Sequence, residues 1–214
     1  MSNKIILIGG GGHCKSVIDV IESSNEYIIE GIIDKPEFVG NKISGYNIIG
    51  SDSEIEKFAS EGRNFHITIG SIKSNSVRVG LYNEIINKGG KFPAIISSKA
   101  HVSRFAKISD GSIIMHNVVI NSGAFINKNC IINTGAVIEH DVKVGNNCHI
   151  STGVFINGDC TIGDDCFIGS NSTIIQGISI AKKNIIGAGS VVLKNTKADS
   201  LYIGVPAMHK KYLL

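Results

Sequence analysis

The chain has 214 residues, 43% of them hydrophobic and 18% charged, ordinary values for a soluble globular protein with one large or two small cores. Its 21 basic and 18 acidic side chains leave a formal charge of +3, too mild an excess to predict a nucleic acid or an anionic membrane as partner. The apolar run Ile5 to Ile8 is too short for a signal peptide or a membrane span, and the cysteines form no C-x-x-C, so a cytoplasmic setting with free thiols is expected.

Residues 4–8 (Lys-Ile-Ile-Leu-Ile) read as a buried strand that runs into Gly9-Gly10-Gly11-Gly12, a tight turn. His13 to Glu22, with Val17, Ile18 and Ile21 on one face, follows as a helix, and a second strand, Tyr27 to Ile33, ends at Asp34. This βαβ opening sets a glycine loop at a helix N-terminus, where free N–H groups face an anion. The dinucleotide fingerprint would place glycine at 9, 11 and 14, and position 14 is Cys, so a nicotinamide cofactor is not expected. A nucleotide or phosphorylated ligand is expected instead, with a purely connecting turn as the alternative. A short helix over Asp52 to Glu61, capped by Ser51 or Ser53, a strand Phe65 to Ile69 ending at Gly70, a helix Val77 to Asn87 and a strand Phe92 to Ile96 complete the pattern. Strand and helix alternate, so residues 1–97 are predicted to form a Rossmann-like α/β domain with a mainly parallel sheet. Pro93 and Ser97-Ser98-Lys99 mark its end.

From Val102 to Val192 every sixth residue is Ile or Val, sixteen in succession. Neither a helix nor a hairpin sheet has that period; it is the signature of a β-solenoid. Four residues after each of these positions stands a second, mostly small residue, such as Ala106, Ser112, Ala124 and Ala136. Positions two apart on a strand share a face, so each six-residue rung sends one branched aliphatic and one small side chain inward. Four of the five cysteines (Cys130, Cys148, Cys160, Cys166) fall in the small column and read as compact hydrophobes rather than as a disulfide framework or a zinc site. Three rungs make a triangular coil of eighteen residues, about five coils over residues 98–194; the tail, 195–214, breaks the period.

The register also sorts the histidines. His140 falls two places after inward Ile138, at a coil corner open to solvent, and Asp141 follows it; a carboxylate beside an imidazole suits a general base. Eighteen residues on, in the same column, is Gly158, which leaves room for a ligand and bares a backbone N–H for an oxyanion. His149 lies half a coil away, so it can share a site with His140 only across a subunit interface. A solvated corner histidine is the plainer alternative, and His101 and His116, without acidic neighbours, read as structural.

Gly-Gly-Gly-Gly-His, the unbroken hexapeptides, the segment from Asn133 through Ile138-Glu139-His140-Asp141, Ile186-Gly187-Ala188-Gly189-Ser190 and Gly204-Val205-Pro206-Ala207 occur in that order. Together they resemble the bacterial sugar acetyltransferases that include the bacillosamine-pathway N-acetyltransferases and the sialic acid O-acetyltransferases. The resemblance implies a left-handed parallel β-helix of hexapeptide repeats and a homotrimer, with acetyl-CoA in the groove between adjacent solenoids and the tail near it. It implies His140 as the base and Asp141 as its support, with His149 of the neighbouring chain and the Gly158 amide near the thioester, and Ser170 and Ala188 along the pantetheine. Gly11, Gly12 and His13 would receive the nucleotide part of the substrate, with Asp34, Lys35 and Gly70 beside them. Cys14 and Lys35 depart from the family pattern. The expected reaction is direct acetyl transfer to the amine of a nucleotide-linked, UDP-type 4-amino-4,6-dideoxy sugar, with O-acetylation of sialic acid or a related nonulosonate as the alternative. A metalloenzyme of the γ-carbonic anhydrase kind would need a third histidine at a matching spacing, which the chain lacks, so no metal is expected. A non-catalytic nucleotide-binding scaffold is the remaining reading.

Overall fold

The computed structural model describes residues 3–71 and 74–213. Two compact units divide the chain, Met1–Ser98 and Lys99–Leu214. Among the described residues no helix is long and apolar enough to cross a membrane.

The first unit is a five-stranded sheet in the order β3-β4-β2-β1-β5, from β1 (Lys4–Ile8), β2 (Ile28–Ile33), β3 (Lys42–Ile43), β4 (Tyr46–Gly50) and β5 (Asn64–Ile67). All neighbours are parallel except β3 and β4. Ile5 to Ile8 are all buried, as a parallel strand covered on both faces requires. Ile6 and Ile8 on one face join Ile55 and Ala59 of α2 (Ile55–Ser60) and Ile85 of α3 (Ser76–Asn87) in a core with Phe65 and Phe92. The helix after the glycine loop is α1 (Gly12–Ser24); it buries Val17, Ile18, Val20 and Ile21 and ends on Asn25 in the left-handed region, a common stop signal.

Three local features differ from the sequence expectation. A β3–β4 hairpin closes through Ser44 and Gly45, both at positive φ, the twisted turn that a two-residue hairpin favours. The helix expected from Asp52 starts as a 3-10 turn, Asp52–Glu54, with the Glu54 carboxylate accepting the Ser51 N–H at 2.6 Å. The expected strand Phe92 to Ile96 shrinks to Ile95–Ile96, since Pro93 offers no N–H to a ladder.

The second unit is a left-handed parallel β-helix. Sixteen two-residue strands, His101–Val102 through Val191–Val192, end on the predicted inward positions. All of those residues but Val102 and Ile108 are buried, each burial contributing about 1.5–3 kcal/mol. Each strand pairs with the one eighteen residues on, as Val119 with Val137 and Val137 with Phe155, so three parallel faces run along the helix. The first carries strands 119–120, 137–138, 155–156 and 173–174, the second 125–126, 143–144 and 161–162, and the third 131–132, 149–150, 167–168 and 185–186. At each corner from Gly111 to Gly189 one residue has positive φ, and all but Lys183 are Gly, Asn or Asp, the residues that tolerate it best. The tail does not leave the sheet: Leu201 pairs parallel with Ile185 on the third face, and Met208–Tyr212 returns antiparallel to Ser200–Ile203.

The inward cysteines are more than small hydrophobes. Cys130, Cys148 and Cys166 each donate Sγ–H to the carbonyl fifteen residues on (Gly145, Gly163 and Ala181) at 3.0–3.1 Å, and Ser112 and Ser172 do the same with hydroxyls at 2.6 and 2.8 Å. These bonds satisfy corner carbonyls that face the core, where an unpaired oxygen is costly.

Candidate active site

His140 and Asp141 form the corner between the first and second faces. The Asp141 N–H donates to Ser122 O one coil back, and the Asp159 N–H to His140 O one coil forward, both at 3.0 Å, so the corner is tied at both ends. Asp141 holds φ +61, and its Oδ2 lies 3.0 Å from His140 Nδ1. A carboxylate accepts only, so Nδ1 carries a proton toward it, and in the neutral ring Nε2 is the nitrogen whose lone pair is left for a substrate. The two side chains are 63% and 66% exposed, open to an incoming molecule.

Gly158 stands next to the ring, though not as a vacancy. A Cβ built there would lie 2.5 Å from both Cε1 and Nε2 of His140, so the imidazole itself occupies the space that the glycine leaves. The sequence reading of that space as room for a ligand is corrected accordingly. The Gly158 N–H makes no hydrogen bond among the described residues.

His149 is on the third face, away from the His140 corner, and one chain does not bring the two together. It is 7% exposed, with its ring edge-on to Phe167 at 5.2 Å and Nε2 3.4 Å from Asn133 Nδ2. Ser170 and Ala188 occupy the corner between the third and first faces, one coil apart, with Ser170 Oγ 2.8 Å from Ser151 Oγ. The first face thus lies between the His140 corner and the Ser170 corner. Asn133, which sequence reasoning did not single out, meets His149 only because their rungs are adjacent in the fold; sixteen residues separate them.

In the first unit, Gly11-Gly12-His13, Asp34-Lys35 and Gly70 follow β1, β2 and β5, which are neighbours in the sheet, so all six gather at one carboxyl edge. The strand order reverses at β1, the position where open α/β sheets bind ligands. Nothing lies within 4 Å of a Cβ built on Gly11, Gly12 or Gly70, and the space above the loop is clear. Asp34 has a structural task there: Oδ2 accepts the Gly10 N–H and Oδ1 the Lys35 N–H, each at 2.8 Å, fastening the loop to the end of β2. A Cβ on Gly10 would meet that carboxylate at 2.5 Å, so the loop needs glycine at this position. A separate cavity of about 620 Å³, lined by Lys4, Tyr27, Arg63 and Lys91, opens at the opposite, amino ends of β1 and β5.

Behind the loop lies a polar interior that the sequence did not announce. Arg78 of α3 is 2% exposed and donates Nη1–H to the carbonyls of Ile67 and Ile69, bracing the β5 end that leads to Gly70, while neighbouring Val77 is 62% exposed. His66 on β5 is fully buried; burial first, then the charges of Arg78 and His13, hold its pKa well below 6.5, so it is neutral. Cys14 is buried, and burial raises its thiol pKa, with Thr68 as a hydrogen-bond partner; that is the reverse of an activated nucleophile. Among the described residues no group of three or more His, Cys, Asp or Glu could hold a metal ion.

Models of three protein families match the chain: the PglD N-terminal domain over residues 4–85, the bacterial transferase hexapeptide (six repeats) over 123–158, and the hexapeptide repeat of succinyl-transferase over 160–194. No curated protein sequence matches it. Among solved structures, the chain is similar to perosamine N-acetyltransferase from Caulobacter crescentus in complex with CoA and GDP-perosamine. That enzyme is 30% identical over 97% of each chain with a TM-score of 0.90, and it is known also in variants with one histidine changed to asparagine or alanine. The acetyltransferase domain of PglB from Neisseria gonorrhoeae FA1090 is 26% identical over 98% of this chain and 100% of its own, with a TM-score of 0.91, and has also been solved with acetyl coenzyme A. WeeI from Acinetobacter baumannii AYE, at 23% identity and a TM-score of 0.80, shares the fold.

Proposed function

This chain belongs to the bacterial sugar acetyltransferases that join a PglD-type N-terminal domain to a hexapeptide β-helix, and on that premise we propose its reaction and its catalytic residues. It is an acetyl-CoA-dependent sugar acetyltransferase, and we infer that the acceptor is the amino group of a nucleotide-linked 4-amino-4,6-dideoxy sugar. The observation that carries this reading is the His140–Asp141 pair lying over Gly158 at an exposed solenoid corner, in a chain similar along its length to an enzyme that binds CoA and GDP-perosamine.

In the proposed step His140 Nε2 takes a proton from the sugar's amino group as its nitrogen attacks the thioester carbonyl. Asp141 holds the opposite proton on Nδ1 and stabilises the imidazolium that forms. The Gly158 N–H receives the developing oxyanion. The new C–N bond replaces the C–S bond, CoA departs as thiolate, and the proton held by His140 neutralises it. Holding the two substrates in place supplies much of the acceleration, and no acyl-enzyme is required.

The nucleotide part is assigned to the carboxyl edge of the first unit, with Gly11, Gly12 and His13 toward the diphosphate and Lys35 and Gly70 beside it. Ser170 and Ala188 line the pantetheine path, and His149 of a neighbouring subunit approaches the thioester. The last point calls for an oligomer, which on the family resemblance is a homotrimer. In its favour, the first face, between the two site corners, presents Phe155 at 48% exposure beside Val137, an apolar spot suited to another subunit. The reading involves neither a nucleic acid nor a membrane partner.

The test is mass spectrometry of the purified protein with acetyl-CoA and, separately, UDP- and GDP-linked 4-amino sugars and free sialic acid. Acetylation of a sugar nucleotide is expected, and the productive arm names the nucleotide. Acetylation of the free acid alone would overturn N-transfer. His140→Ala should lower kcat by about a hundred-fold or more with acetyl-CoA affinity retained in calorimetry; full activity would remove His140 from the role of base.

A further inference from the structure

Two glycines flank the His140–Asp141 pair along the solenoid axis: Gly158, one coil beyond the histidine, and Gly123, one coil before the aspartate. Gly123 has no place in the site as described so far. A Cβ built on it would press into Asp141 Oδ1, with Cγ at 3.3 Å and the Asp141 nitrogen at 3.5 Å. The other oxygen of that carboxylate is the one 3.0 Å from His140 Nδ1. A carboxylate is planar and rigid, so pushing one oxygen aside swings the other away from the imidazole.

Backbone conformation alone does not call for glycine at this corner. Gly123 has φ +75, and Asn117, Asn129, Asn147 and Asn171 hold φ between 56 and 58 at equivalent corners. What distinguishes position 123 is that the carboxylate resting on it is the one that meets His140; under Asp165, at the equivalent corner, stands Asn147, whose amide donates to that carboxylate. We propose that Gly123 is a positioning residue for acetyl transfer: by lacking a side chain it lets Asp141 lie down on the preceding coil, and so sets the His140 ring. The proposal rests on the reading of His140 as a base oriented by Asp141.

The experiment compares Gly123→Ala, Asp141→Gly and the double variant. Asp141→Gly adds no backbone strain, since Gly135, Gly153, Gly177 and Gly189 already occupy the same corner position at positive φ. Gly123→Ala should lower kcat about ten-fold or more, as a misplaced catalytic group does, with KM for both substrates little changed. In the Asp141→Gly background the same alanine has no carboxylate to displace, and kcat should fall no further. Gly153→Ala is the reference for unfolding temperature, because at φ +66 its Cβ would press into Asn171 Oδ1 in the same way; Gly123→Ala should lower Tm no more than that. If Asp141→Gly lowers kcat and Gly123→Ala does not, the role of Gly123 is overturned while that of Asp141 stands. If Gly123→Ala is equally harmful with and without Asp141, it acts by another route and the proposal fails. If Asp141→Gly leaves kcat unchanged, the reading of Asp141 fails and the proposal with it.

Discussion

The His140 ring lies against Gly158, with Cε1 and Nε2 each 2.5 Å from where an alanine methyl group would stand. Gly158→Ala must therefore turn the ring off the coil. The ring is largely exposed and can swing into solvent, so the expected result is a small change in urea midpoint and a fall in kcat of about ten-fold or more, read by steady-state kinetics beside chemical unfolding. The adjacency of His140 and Asp141 and their place at a corner were legible in the sequence, because a period of six assigns every residue a side. The orientation of the ring was not. A glycine in register looks the same whether it makes room for a ligand or for the neighbouring coil's own side chain, and only coordinates separate the two. Asn133, His66 and Arg78 were hidden for a related reason: each takes its meaning from a residue on another element.

At the scale of one rung, the thiol column shows what periodicity leaves out. Small inward residues were read as space-fillers, but Ser112, Cys130, Cys148, Cys166 and Asn184 in one column are all hydrogen-bond donors, and the first four reach corner carbonyls. If Cys148 is only a hydrophobe, Cys148→Val should cost little; as a donor to Gly163 O, its loss should cost about 1 kcal/mol, and Cys148→Ser should cost less than valine. Urea titration of both variants decides between them. Burial, then the neighbouring Cys130 and Cys166 thiols, raises the Cys148 pKa well above 9.0, so its alkylation should wait for unfolding. The coils themselves were legible because a solenoid repeats one local solution. The tail was not, since Leu201 joins Ile185 after sixteen residues instead of eighteen and a periodicity argument stops at the first slip. The β3–β4 hairpin escaped because β3 has only two residues, too few for a pattern.

Across the whole molecule, pH acts on stability through His66 of the first unit. Folded His66 binds a proton less readily than the unfolded chain does, because it is buried and faces Arg78 and His13. Below the ordinary histidine value of 6.5 the unfolded state therefore carries the extra proton. That contribution to stability is complete above this pH and declines as pH falls through it toward the folded value. Thermal unfolding from about pH 7 to pH 5 should show a decline in Tm that is shallower in His66→Met. Subunit sharing has its own signature. If sites are shared as proposed, oligomers reassembled at random from equal amounts of His140→Ala and His149→Ala chains should regain about a quarter of wild-type activity, the fraction of sites that draw both histidines from intact positions; no recovery on mixing would remove the neighbouring chain's His149 from the site. The eighteen-residue register also behaves as a reading frame for insertions and deletions. Removing one residue from a corner would turn every later isoleucine out of the core, whereas removing the coil 105–122 would leave each later side chain in its column, the Gly123, Asp141, His140 and Gly158 stack intact and Ser170 and Ala188 in place. Length in this protein can change in steps of one coil, and the chemistry is confined to the few steps that cannot be dropped.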